Sequence, residues 1–180
     1  MKAFRGHRRR SVPLDALCRM LVVVAAVLTA HGCSNPPPRA ANPTRALDER
    51  RAIQVIATAF RDERDAPAPG RSVELAAGKA LEVDVGADGH KYGVAYITPT
   101  ERQRLGVALP PRNPSMGDAL QLVRGTGADA DARILVLYDS DYLYDDFIGA
   151  EREATTITAE RKLARDVRDF LVRAHAEGWP

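Results

Sequence analysis

Cysteine is scarce in this chain: of its 180 residues, only Cys18 and Cys33 are cysteines. Both precede the part of the sequence whose composition suits a folded core. The predicted domain therefore has no disulfide, no thiolate nucleophile and no cysteine metal ligand. If the protein is exported, the stability of its domain must come from packing alone.

Catalytic signatures and excess positive charge are also missing. The sequence has no glycine-rich phosphate loop, no His-x-x-x-His pair and no Gly-x-Ser-x-Gly elbow. Six of the 26 Lys and Arg residues and one of the 24 Asp and Glu residues lie in the first 32 positions, which leaves a net charge of −3 from Cys33 onward. A domain so balanced shows no phosphate-binding footprint, so nucleic acid is not expected as a partner.

The apolar run near the amino terminus is short. Residues 21–30 are apolar or small, whereas a bilayer-spanning helix needs about 20 such residues. The run follows a basic segment and leads into Ala30-His31-Gly32-Cys33. A positive start, a short apolar centre and small residues before a cleavage point are typical of a secretory signal, which we predict over residues 1–32.

The end of this segment, Gly32-Cys33 followed by Ser34, resembles the signal of bacterial lipoproteins. The resemblance implies cleavage before Cys33, lipid attachment to Cys33 and a place in the cell envelope, with the outer membrane favoured by Ser34. The pair Arg9-Arg10 also resembles a twin-arginine export signal, so the export route stays open. An uncleaved anchor and a secreted protein without lipid are the alternatives.

Residues 33–43 form a proline-rich tether in this interpretation, and residues 44–180 form one globular domain. Helices are predicted from Asn42-Pro43 to about residue 64, over 99–106, over 115–125 and from Thr158 to Gly178. Strands are predicted over residues 72–76, 80–86, 90–97 and 134–138, and the middle two form a hairpin. In the strand over 80–86, alternating apolar residues predict one buried face. This order predicts an α+β domain with a small antiparallel or mixed sheet of three to four strands and helices on one face.

A cluster of aspartates follows the predicted buried strand 134–138. Asp139, Asp141 and Asp145 place carboxylates at the mouth of the strand, and oxygen ligands of this kind bind Ca²⁺ or Mg²⁺. His90 is a candidate general base with Asp84 or Asp88 nearby. These residues favour, as an alternative function, a small metal-dependent hydrolase or a cation-binding protein that uses the loop 139–146.

Tyrosines lie in the same region of the sequence. Tyr92, Tyr96 and Tyr138 are expected in or near the core, whereas Tyr142 and Tyr144 are expected to be exposed. The exposed tyrosines, with Asp146, predict a surface that binds an envelope protein or a cell-wall polymer. The leading prediction is thus a membrane-tethered envelope lipoprotein that acts as a non-catalytic binding module.

Overall fold

A five-stranded mixed sheet forms the centre of the domain. The computed structural model describes residues 44–111, 120–145 and 155–180. The sheet has the order β2-β3-β4-β6-β5, and its strands are β2 (Pro67–Leu75), β3 (Lys79–Ala87), β4 (Tyr92–Ile97), β5 (Leu122–Arg124) and β6 (Arg133–Tyr138). Two further short strands, β1 (Thr44–Ala46) and β7 (Leu143–Asp145), pair antiparallel as a separate sheet. The helices are α1 (Glu49–Asp62), α2 (Pro99–Leu105) and α3 (Thr156–Glu177).

Helices cover both faces of the five-stranded sheet. The central strands β4 and β6 run parallel, and their alternate side chains enter two different core clusters. Side chains of α1 and α3 belong to one cluster, and Leu105 of α2 belongs to the other. The class α+β stands, but the prediction of three to four strands with helices on one face is wrong. Parallel strands covered on both sides explain why β6 reads as a continuous apolar run.

The predicted sheet differs from the observed one at its two edges: the edge strand β2 is longer than predicted, and the edge strand β5 was not predicted. Strand β2 begins at Pro67, five residues before the predicted start, because an edge strand tolerates Pro67 and Pro69 on its unpaired side. Strand β5 occupies positions that were predicted as the end of a helix over 115–125. The part of that predicted helix over 115–119 lies outside the described residues.

Helix α1 begins later than predicted. Its amino-terminal cap is Asp48, whose carboxylate accepts the Arg51 N–H at 3.2 Å. The predicted start at Asn42-Pro43 is wrong because residues 44–46 pair with β7 instead of turning into a helix. Sequence patterns indicate helix caps, but they do not indicate that residues 44–46 pair with a strand about 100 residues further along the chain.

The other two helices agree better with their sequence signals. Thr98 and Glu101 form a reciprocal capping box at the start of α2, as predicted. Helix α3 starts at Thr156 rather than Thr158. Thr155 is its amino-terminal cap, and Thr158, the third residue of the helix, completes the capping box. The helix ends at Glu177 and is capped by Gly178, as predicted; the φ of Gly178 is 62°, a left-handed conformation that favours glycine.

Strand β3 changes face along its length. Val83 packs in the cluster on the α2 side, whereas Val85 packs in the cluster on the side of α1 and α3. Asp84 lies between them, and its Oδ2 accepts the Tyr96 N–H at 2.7 Å, where a regular ladder would supply a carbonyl. The predicted alternation of buried and more exposed residues over 81–85 is confirmed, but the buried side chains enter two core clusters instead of one.

No helix within the described ranges is long and apolar enough to cross a membrane.

Candidate functional site

The acidic loop returns the chain to the start of the described domain. After β6, residues Asp139–Asp141 form a single 3₁₀ turn, and β7 follows as the partner of β1. Leu143 lies opposite Ala46, and Asp145 lies opposite Thr44. We call this pair of strands the β1–β7 ribbon (Thr44–Ala46 and Leu143–Asp145). The loop with the predicted site residues is thus built into a defined strand pair.

Tyr142 anchors the ribbon to the core. Its side chain is only 3% exposed, so the prediction that Tyr142 is exposed is wrong. The Tyr142 hydroxyl donates to Asp166 Oδ2 of α3 at 2.9 Å, and its ring lies 6.1 Å from that of Tyr96. The Tyr142 carbonyl accepts the Leu47 N–H at 3.1 Å. An apolar ring with a satisfied hydroxyl contributes more to packing than to a contact surface.

Burial and nearby carboxylates keep the Tyr142 hydroxyl neutral. Burial first, and then the carboxylates of Asp166 and Asp141, raise the pKa of Tyr142 far above its ordinary value. Lys162 of α3 places its Nζ 5.3 Å from the centre of the Tyr142 ring and donates to the Asp141 carbonyl at 3.0 Å. Helix α3 therefore fixes both the side chain and the backbone at the beginning of β7.

A second tyrosine connects this cluster to the sheet. Tyr96 of β4 is buried, and its hydroxyl donates to the Leu47 carbonyl at 2.9 Å. Burial first, followed by the charge of Asp139, raises the pKa of Tyr96 well above its ordinary range. The buried positions of Tyr92, Tyr96 and Tyr138 are confirmed.

The accessible side chains of the ribbon are apolar, aromatic and charged, and they lie on both of its faces, because successive residues of a strand point to opposite sides. Leu143 is 41% exposed, and Tyr144 is half-buried. The Arg45 guanidinium lies 5.5 Å from the centre of the Tyr144 ring, within the range of a cation–π contact. Of the predicted partner-binding residues, Tyr144 thus has a partly accessible side chain, and Tyr142 is buried in the core. Asp146 lies outside the described residues.

The three predicted metal ligands lie along the loop at intermediate exposure. Asp139 and Asp141 belong to the 3₁₀ turn, and Asp145 ends β7. In the described parts of the chain, no three carboxylate, histidine or cysteine side chains come together as a metal ion would require. A Ca²⁺ or Mg²⁺ site stays a prediction, and so does lipid attachment to Cys33, which is outside the described residues.

His90 does not meet either of its predicted carboxylate partners. Its ring packs against the ring of Tyr92 at 4.9 Å between centres, and neither Asp84 nor Asp88, all three residues being described, forms a hydrogen bond with it. The Asp84 carboxylate instead accepts the Tyr96 N–H. A general base oriented by a carboxylate is therefore not assembled around His90.

A different histidine has the carboxylate contact. His175 Nε2 lies 3.0 Å from Asp65 Oδ1, and the Tyr92 hydroxyl donates to Asp65 Oδ2 at 3.0 Å. Burial, followed by Asp65, raises the pKa of Tyr92 to about 12. The sequence analysis missed this cluster, because Asp65, Tyr92 and His175 are far apart along the chain and no local pattern connects them.

The cluster joins three elements at one end of the domain. Asp65 follows α1, Tyr92 opens β4, and His175 lies in the last turn of α3. The Tyr92 and Phe170 rings are in edge contact at 6.1 Å between centres, and the Trp179 ring lies 5.7 Å from that of Phe170. These contacts stabilise the packing of the two long helices on the sheet.

Comparison of the chain with protein-family models, with curated proteins and with solved structures finds no match.

Proposed function

We propose that this protein is a lipid-anchored component of the bacterial cell envelope whose domain binds another envelope component through the β1–β7 ribbon. The observation that carries the proposal is the position of the ribbon. Its first strand begins at Thr44, directly after the residues predicted to form a proline-rich tether behind Cys33. The predicted anchor and the predicted binding surface are therefore close neighbours along the chain.

The ribbon has the composition and the rigidity that binding surfaces require. Leu143 supplies exposed apolar area, and Tyr144 and Arg45 are of the residue types that contribute most to interface affinity. Tyr142 and Lys162 hold the ribbon against α3, so little conformational freedom is lost when a partner binds. Support for a binding role thus comes from both chemistry and preorganisation.

The anchor is tested by changing Cys33 to Ala. In the proposal, acyl chains on Cys33 hold the protein at the membrane, because each buried methylene contributes about 0.8 kcal/mol. We expect the variant to move from the membrane fraction to the soluble fraction and to lose incorporation of an alkyne-labelled fatty acid. Cys18→Ala is the matched control, since Cys18 lies inside the predicted signal. Retention of Cys33→Ala in the membrane fraction would contradict the anchor.

The binding surface is tested by cross-linking in cells. We expect the double variant Leu143→Asp, Tyr144→Ala to lose at least about tenfold in the yield of its specific cross-linked species, because interface affinity is concentrated in a few apolar and aromatic side chains. Val107→Asp is the control, since Val107 is fully exposed and lies outside the ribbon.

Circular dichroism of both variants checks that the fold is kept. An unchanged cross-linking pattern in the double variant would remove the ribbon from the proposal and leave the anchor untouched.

A further inference from the structure

A groove runs between the outer faces of α1 and α3. It encloses about 460 Å³, and its apolar side chains are Val55, Ala59, Ala164 and Ile157. Ile157 is 59% exposed, although it lies on a helix that buries most of its other large apolar residues. An exposed apolar side chain beside a groove indicates a surface that another molecule can cover.

The two helices that form the groove run in the same direction. Arg51 pairs with Glu160 at 2.7 Å near their starts, and Glu63 pairs with Arg168 at 3.0 Å further along. The groove therefore has two distinguishable ends, one near the amino-terminal turns of both helices and one near the end of α1.

The ends of the groove carry opposite charges. Arg161 lines the end near Glu160, and Asp62 lines the end of α1. At 1.5 Å of rise per residue, these two levels are separated by roughly 15 Å. Both side chains are exposed, and within the described ranges neither Arg161 nor Asp62 has an ion-pair or hydrogen-bond partner for its side chain. The groove thus has an unpaired positive charge at one end and an unpaired negative charge at the other, with apolar side chains between them.

We propose that a second copy of this chain occupies the groove. Under a two-fold axis perpendicular to the groove, the positive end of one copy meets the negative end of the other, and the reverse pair forms at the same time. Arg161 of each protomer then pairs with Asp62 of its partner, while the exposed Ile157 of each protomer enters the groove of the other. The surface is self-complementary in charge.

The ion pairs set the orientation of the dimer more than its strength. Pairs that remain near solvent contribute little affinity, but a like charge in the same position is repulsive and excludes the complex. The apolar floor supplies the affinity, and this balance predicts a concentration-dependent dimer. The inference does not rest on the proposed function, because it uses a face distinct from the β1–β7 ribbon.

A charge exchange tests the proposal directly. In a homodimer of Arg161→Glu, each new Glu faces Asp62, and in a homodimer of Asp62→Lys, each new Lys faces Arg161. We expect each variant alone to dissociate at least about tenfold more readily than the wild type. Mixing the two variants puts opposite charges at both contacts, so we expect the mixture to recover the dimer.

The measurement is sedimentation velocity of the full-length protein in nonionic detergent from about 1 to about 100 µM. Arg124→Glu and Asp88→Lys are the matched controls, because they make the same charge changes at exposed sites outside the groove. Thermal unfolding of every variant checks that it is folded. If either single variant fails to fold, Arg161→Gln and Asp62→Asn replace it, and each is expected to weaken the dimer by less than a charge reversal does, because it removes an attraction without adding a repulsion.

Recovery of the dimer only in the mixture would support the proposal. A wild-type protein that stays monomeric over this range, or a dimer indifferent to both variants, would overturn it. A wild-type monomer would also leave the groove to a partner of different sequence.

Discussion

Asp84 carries a charge in an unfavourable place. It stands where β3 changes face, and its side chain is partly buried. Burial raises the pKa of Asp84 from 3.8 to about 6, although the hydrogen bond from the Tyr96 N–H opposes the rise. Three nearby carboxylates contribute smaller parts of this rise, namely Glu101, Glu49 and Glu82. The fold therefore holds a proton on this carboxyl at a pH where the unfolded chain has lost it.

This difference in pKa predicts how stability depends on pH. Between pH 3.8 and about 6, the folded state binds the Asp84 proton and the unfolded state does not. The contribution of Asp84 to the free energy of unfolding is thus full at low pH and falls as the pH rises through this window. Because the side chain is only partly buried, we expect a fall of roughly 1 kcal/mol rather than the full amount that the pKa change implies.

Asp84→Asn isolates this contribution, since its amide oxygen can still accept the Tyr96 N–H. We expect the difference in free energy of unfolding between Asp84→Asn and the wild type to grow in favour of Asn as the pH rises from about 4 to about 6. Urea unfolding at several pH values measures it, with Asp88→Asn in the exposed turn as the control. Parallel curves for Asp84→Asn and the wild type would contradict the assignment.

At the scale of elements, the β1–β7 ribbon depends on contacts outside itself. A pair of three-residue strands is too short to be stable alone. The ribbon is held by the Tyr142 hydroxyl on Asp166, by Lys162 on the Asp141 carbonyl and by the Leu47 N–H on the Tyr142 carbonyl. The ribbon therefore keeps its structure through contacts with α3 as much as through the pairing of β1 with β7.

Tyr142→Phe tests this dependence by removing one hydroxyl. The change leaves Asp166 without its donor from the ribbon, and we expect the free energy of unfolding to fall by about 1–2 kcal/mol. We also expect faster hydrogen exchange at the Leu47 amide, because local opening of the ribbon becomes easier.

The matched control for this change is Tyr138→Phe. The Tyr138 hydroxyl donates to the Pro110 carbonyl at 2.8 Å, and Tyr138 packs in the cluster on the α2 side of the sheet. We expect Tyr138→Phe to lower the free energy of unfolding by a similar amount while leaving hydrogen exchange at the Leu47 amide unchanged. Equal exchange rates at Leu47 in the two variants would show that Tyr142 does not control the ribbon.

At the scale of the whole molecule, the sequence predicts those features of the fold that depend on residues close together along the chain. The buried strand β6, the hairpin of β3 and β4, the capping box of α2 and the end of α3 at Gly178 each follow from neighbouring residues and are confirmed. The edge strand β2 was underestimated because Pro67 and Pro69 oppose a strand everywhere except at an edge. Edge position is a property of the sheet and not of the segment.

The candidate site depends even more on contacts between distant parts of the chain, which the sequence does not predict. Tyr142 follows aspartates in a polar loop, which is typical of an exposed residue, yet the pairing of β7 with β1 turns its ring into the core. The contact of His175 with Asp65 and the alignment of Arg161 and Asp62 along one groove depend on how α1 and α3 pack. Such contacts join distant parts of the chain, and local patterns carry no signal for them.

The placement of β1 has a mechanical consequence. Tension applied to the chain before Thr44 reaches the three residue pairs that join β1 to β7 before it reaches the five-stranded sheet. Hydrogen bonds in so short a ladder yield under less load than a core of interlocked strands and helices. Tension on that segment would thus separate β1 from β7 while α3 keeps its contacts with Tyr142 and the five-stranded sheet stays folded, and it would remove Arg45 from beside the Tyr144 ring.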